Sequence, residues 1–148
     1  MSNKETTYNR RIKVADLLSA DSTALTVLQR FGIRLGFGEA TVEELCARYN
    51  ISPELFLMVC SIYSSNEYVP HIGRLDREDA KSIIVYLRAS HSHYMQQCFP
   101  AIHEGIHTLV KELDSVSQKL IDKFYDDYDR EIINHFRYEE DTVFPYIE

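Results

Sequence analysis

An all-α chain is what the sequence predicts, and three observations predict it. Gly and Pro are scarce, with 5 and 4 in 148 residues. Apolar residues recur every three or four positions over long segments, the period of a helix with one buried face. Helix start signals also precede these segments at regular intervals.

Residues 1–10 read as a loose tail. A short helix is expected over about Val14–Leu18, and a second over about Ser22–Phe31 with Leu25, Leu28 and Phe31 inward. The stretch Phe31-Gly32-Ile33-Arg34-Leu35-Gly36-Phe37-Gly38 then breaks the second helix, because its glycines reach backbone angles that other residues resist. Thr41-Val42-Glu43-Glu44 is a capping box and starts a helix ending near Tyr49. Ser52-Pro53-Glu54 is a further start, with a capping Ser and Pro in the first turn, and that helix carries Leu55, Met58, Val59 and Ile62. Ser64 to Gly73 is polar and reads as a linker. Residues 12–66 are thus expected to form a small helical module.

Asp76-Arg77-Glu78-Asp79 opens a longer helix, expected to reach about Leu113 with a kink or bend at Pro100. Asp114 to Ser117 reads as a turn, and a last long helix is expected over about Gln118–Asp141. Residues 76–148 would therefore be an antiparallel pair of long helices. No internal repeat or low-complexity tract is evident.

Bulk properties narrow the function classes. The formal charge is -7, from 16 Lys+Arg against 23 Asp+Glu, which disfavours phosphate backbones and anionic membrane surfaces. The three cysteines, Cys46, Cys60 and Cys98, lie far apart without a CxxC, which argues against a disulfide scaffold or zinc ribbon and fits a reducing cytoplasm. Met1–Tyr8 lacks an apolar signal core. No apolar run approaches the roughly 18 residues a membrane span needs. Six histidines in an acidic, cysteine-poor chain leave nitrogen and oxygen ligation open, as suits iron, manganese or zinc.

Two stripes carry the candidate ligands. On the last helix Ile121, Phe124, Tyr128, Ile132, His135 and Glu139 follow one face at spacings of 3, 4, 4, 3 and 4. The last two are a histidine and a carboxylate one turn apart, a geometry able to grip one metal ion. A buried carboxylate also needs a partner. On the preceding helix Ile84, Leu87, His91, Tyr94 and Cys98 follow at 3, 4, 3 and 4. His93 lies about 200° around the helix from His91, so the period selects His91. The ordinary alternative for His91, His135 and Glu139 is a hydrogen-bonded core network. His103 and His107 are also four apart, on a less apolar face. Glu131, Glu140 and Asp127 read as solvated or as supports for the ligands. Tyr94 and Tyr128 read as core residues whose hydroxyls are able to donate to a metal-bound ligand.

His135-Phe-Arg-Tyr-Glu139-Glu140-Asp-Thr-Val-Phe144-Pro145-Tyr-Ile147 resembles the HxxxEExxxFPxI segment of hemerythrin-like (HHE cation-binding) domains. Ser90-His91 followed by Phe99-Pro100-Ala-Ile102 resembles the first helix of that domain. Val14-Ala-Asp-Leu17, Leu28, Phe31-Gly32-Ile33, Gly38 and Thr41-Val42 resemble the small domain that precedes it in the repair-of-iron-centres family. The resemblance covers most of residues 12–148. It implies a cytoplasmic non-haem di-iron protein linked to iron–sulfur cluster repair, with His91, His135 and Glu139 as the ligands one half of a four-helix bundle supplies.

Two departures follow. Leu35 and Gly36 stand where the family's small domain carries an adjacent cysteine pair, so its thiol chemistry is not expected here. The chain also provides only the first two of the bundle's four helices. Either it is part of a longer protein, or two copies pair through the helical hairpin as a homodimer. The expected cofactor is iron, with zinc or manganese compatible with the same donors, and the expected small ligand is oxygen or nitric oxide. The sequence commits to no enzymatic turnover. The rival expectations are a non-enzymatic sensor or dimerisation module, and a metal-free structural dimer.

Overall fold

The computed structural model describes residues 8–148, so most of the expected N-terminal tail lies outside the described residues. The described residues are predominantly helical, and the only extended pairing among them is an isolated antiparallel bridge between Lys13 and Thr41. The chain divides into two compact units, one extending to Tyr86 and the other running from Leu87 to Glu148.

The first unit is built on short helices with explicit ends. These are α1 (Val14–Ala20), α2 (Ala24–Arg30), α3 (Val42–Tyr49) and α4 (Pro53–Ser64). A 3₁₀ turn (Ile72–Arg74) follows, and then the opening turns of α5 (Arg77–His93). Helix α2 stops in a Schellman arrangement: Gly32 has φ 69°, its amide donates to the Gln29 carbonyl, and Ile33 donates to that of Leu28. Helix α3 begins with the expected capping box. The Thr41 hydroxyl accepts from the Glu44 amide at 3.3 Å, and the Glu44 carboxylate accepts from the Thr41 amide at 2.9 Å. Ser52 caps α4 by accepting from the Leu55 amide at 3.1 Å. Asp76 and Asp79 cap the start of α5 reciprocally, each accepting from the other's amide.

The core of this unit gathers Val14, Leu17, Val27, Leu28, Phe31, Val42, Leu45, Leu55, Phe56, Ile84 and Tyr86. The Tyr86 ring lies 4.9 Å from that of Phe31, so the first turns of α5 pack with this unit even though they follow the linker. Leu25, expected inward, is exposed, and Ile62 on α4 is exposed too, while Ala24, Phe56 and Cys60 are buried in their helices. The reason for α2 is its start, since the turn through Ser22 and Thr23 shifts the buried face to Ala24, Val27 and Leu28. Cys46 and Cys60 are both fully buried. Burial first, and the nearby carboxylates of Glu54 and Asp21 respectively, push both thiols up to about 12.

The second unit is a helical hairpin. From Leu87 the end of α5 runs into a π-helical segment (Tyr94–Cys98), then α6 (Phe99–Val110). The return arm is α7 (Ser115–Tyr138), a second π-helical segment (Glu139–Val143) and α8 (Phe144–Ile147). The turn falls earlier than expected. Asp114 is the cap of α7 rather than a turn residue, its carboxylate accepting from the amides of Val116 and Ser117.

No sharp break occurs at Pro100. Both π segments are followed by Phe-Pro, and the amides of Phe99 and Phe144 donate five residues back, to Tyr94 and Glu139. Pro100 and Pro145 have no amide to donate and would crowd the carbonyl four residues before them. The widened turn relieves that crowding and lets the helix continue. Among the described residues, no helix is long and apolar enough to cross a membrane.

Candidate metal centre

Glu139 is where the three predicted ligands meet. Its Oε2 lies 3.0 Å from Nε2 of His91, and its Oε1 lies 3.3 Å from Nε2 of His135. One carboxylate thus spans two imidazoles, one from each arm of the hairpin. Antiparallel pairing produces this meeting, since Arg88 faces Glu140 and His103 faces Asp129 in the same register.

His91 is held on all sides. Its ring stacks on Phe136 at 4.0 Å with an interplanar angle of 15°, and on Phe144 at 5.8 Å and 13°. Its Nδ1 lies 3.0 Å from Oε1 of Glu140. The Arg88 guanidinium fixes Glu140 in turn, with Nε donating to Oε2 at 3.0 Å, and also sits 5.5 Å from the centre of the Phe144 ring. His91 is buried as the helical period predicts, while His93 is only half-buried. By contrast the His135 side chain is 65% exposed, so one side of the site is open.

His91 stands between two carboxylates, Glu139 at Nε2 and Glu140 at Nδ1. A neutral imidazole carries one N–H and one lone pair. Set between two carboxylates, it satisfies one and turns its lone pair on the other. Both contacts become favourable with a proton on each nitrogen, or with a metal ion at Nε2 and the N–H on Nδ1. The second arrangement matches the usual support of a metal-bound histidine, whose other nitrogen donates to a carboxylate. Among the described residues no three His, Cys, Asp or Glu side chains converge as a coordination sphere, because the Glu139 oxygens themselves stand against the imidazole nitrogens. The donor types, two imidazoles and a carboxylate with one histidine oriented by Glu140, are those a divalent transition metal takes.

Glu140, read from the sequence as solvated or as a support for the ligands, is a direct partner of His91. Phe136, which covers the imidazole face, was not singled out; only its adjacency to His135 hinted at this. Burial first, and the neighbouring Tyr128 hydroxyl second, hold the Tyr94 phenol above its ordinary range. With Phe99, Ile102, Phe124, Tyr125 and Asp129 the two tyrosines line a half-open groove of about 290 Å³.

The stripe that carries the ligands is largely uncovered. None of the 24 residues of α7 is buried. Val116, Leu120 and Phe124 are 75%, 69% and 62% exposed, and Tyr128 is exposed too, so the expectation that Phe124 and Tyr128 face inward does not hold within one chain. Comparison of the chain with protein-family models, curated proteins and solved structures finds no match.

Proposed function

We propose that this chain is a non-haem metal-binding protein of hemerythrin-like type, with His91, His135 and Glu139 as the metal ligands. The observation that carries this reading is the Glu139 carboxylate set between the two Nε2 atoms, with His91 backed by Glu140. The metal best suited to the resemblance is iron, with zinc and manganese compatible with the same donors. Iron supplies redox exchange and a coordination position open to a small oxidant such as oxygen or nitric oxide; three protein ligands leave that position free. The chain's own residues orient His91 through Glu140, shield its ring with Phe136 and Phe144, and leave the His135 side open for entry. Iron–sulfur cluster repair, or a response to oxygen or nitric oxide, is the role that fits such a centre.

The second half of the centre comes from a second copy. A homodimer through the hairpin would complete a four-helix bundle and bring two ligand sets together as a di-iron site. The uncovered apolar stripe on α7 supports this association, since exposed apolar surface on that scale favours a partner. That same stripe favours the second reading, a sensor or dimerisation module in which association is the function and any bound metal only reports or stabilises it.

The test is iron content and the near-ultraviolet spectrum of protein made in iron-rich medium. Bound iron with charge-transfer bands, both lost in His135→Ala, is the expected result. Wild-type protein without such bands, or bands unchanged in the variant, would overturn the assignment.

A further inference from the structure

Two neighbouring carboxylates on one arm meet the two nitrogens of one ring, and Arg88 makes them unequal. Glu140 lies 3.0 Å from Nδ1 of His91, and Glu139 lies 3.0 Å from Nε2. Glu140 is also bound by a permanent cation, since Nε of Arg88 donates to its Oε2 at 3.0 Å. Glu139 has no such partner: among the described residues its ion pairs are with His91 and His135 alone. One carboxylate is therefore held in place, and the other is free to turn. Arg88 is itself anchored. It stands one turn before His91 on α5. Its Nη1 donates to Oε1 of Glu148 at 2.8 Å and its Nη2 to Oε2 at 3.4 Å, a forked contact that suits a planar guanidinium. Its Cζ lies 5.5 Å from the centre of the buried Phe144 ring, which stacks on His91. One side chain thus joins α5 to the second π-helical segment and to α8.

We propose that Arg88 is the positioning residue for His91: by holding Glu140 against Nδ1 it keeps an imidazole proton there and leaves Nε2, on the Glu139 side, as the atom that meets a ligand. The inference rests on the reading of His91 as a metal ligand for what Nε2 meets; the positioning itself belongs to the metal-free chain. A hydrogen bond from one ring nitrogen to a fixed acceptor decides the role of the other nitrogen. Glu140 qualifies as that acceptor because Arg88 removes its freedom to leave the ring. The Arg88 side chain is 39% exposed, and ion pairs so placed add little to stability. Orienting the ring therefore accounts for the shared geometry better than holding the fold does.

The experiment is NMR on the metal-free, nitrogen-15-labelled full chain, reading the Nδ1 proton of His91 and its exchange with water. The wild type is expected to show this proton as a resolved, slowly exchanging resonance. In Arg88→Gln it is expected to be lost to exchange, while the ring-current shifts of the carbon-bound His91 protons persist under Phe136 and Phe144. Glu140→Gln is expected to do the same, and the double variant to do no more than Glu140→Gln alone, because Arg88 acts through Glu140. The proposal is overturned by an Nδ1 proton absent from the wild type or unchanged in Arg88→Gln. It is also overturned by effects that add in the double variant, or by ring-current shifts lost in Arg88→Gln, which would make Arg88 a packing residue. Competition with a chelator for iron keeps the metal reading separate. Arg88→Gln is expected to bind about 10–100-fold more weakly than the wild type, and an unchanged affinity overturns the role given to Nε2. A wild type that binds no iron removes the metal assignment, and the proton measurement still decides for Arg88.

Discussion

His91 shows how much one position can be constrained by its neighbours. Phenyl rings cover its faces and carboxylates meet both its nitrogens, so its orientation is set before any ligand arrives. Glu140→Gln keeps the size but weakens the acceptor, and metal affinity is expected to fall about 10–100-fold, read by competition with a chelator. The cysteines act at the same scale in the other direction. The folded thiols of Cys46 and Cys60 titrate near 12, against 9.0 for the free group, so the unfolded chain loses its protons first. Their contribution to stability is therefore complete below pH 9 and declines from there toward pH 12. The slope approaches about 1.4 kcal/mol per pH unit for each thiol. Denaturant midpoints measured from pH 8 to 11 are expected to fall accordingly, and a Cys60→Ala chain is expected to fall less steeply.

At the level of the element, local chemistry was legible wherever one side chain satisfies a nearby backbone group. The box at Thr41 and Glu44, the cap at Ser52 and the glycine stop after α2 all formed as read. Thr41→Ala is expected to cost about 1 kcal/mol in a chemical denaturation curve, the usual value of a lost cap. What misled the reading was ambiguity between equivalent local signals. Asp114 is as good a cap as a turn residue, and only the register of the two arms selects the cap. Pro100 suggested a kink or bend because proline ordinarily breaks a helix, and a π turn ahead of it lets the helical hydrogen bonding continue. The same device precedes Pro145 and begins at Glu139, so the ligand sits where the helix is already widened.

For the whole molecule, the informative feature is the face that a single chain leaves open. A helix of 24 residues with none buried has little tertiary packing to hold it, and most helical stability comes from such packing. A second copy covering Val116, Leu120, Phe124 and Tyr128 would supply it. Light scattering on the purified chain is expected to give twice the 17.3 kDa protomer mass. The double substitution Leu120→Lys with Phe124→Asp is expected to return it to one protomer, with His91 and its aromatic cover untouched. A wild-type monomer at micromolar concentration would remove the dimer from the reading.

The helical class, the caps and the choice of His91 over His93 were determined by the sequence alone. Each rests on a period or on a bond within one turn, and such interactions need no knowledge of the rest of the chain. The meeting of His91, His135 and Glu139, the enclosure of His91 by Glu140 and Phe136, and the outward turn of Phe124 were decided only by the tertiary structure. They depend on the register between two arms more than forty residues apart in sequence. A helical stripe says that a face is apolar, but not what will cover it. In this hairpin Phe124 and Tyr128, on the stripe that carries the ligands, remain exposed.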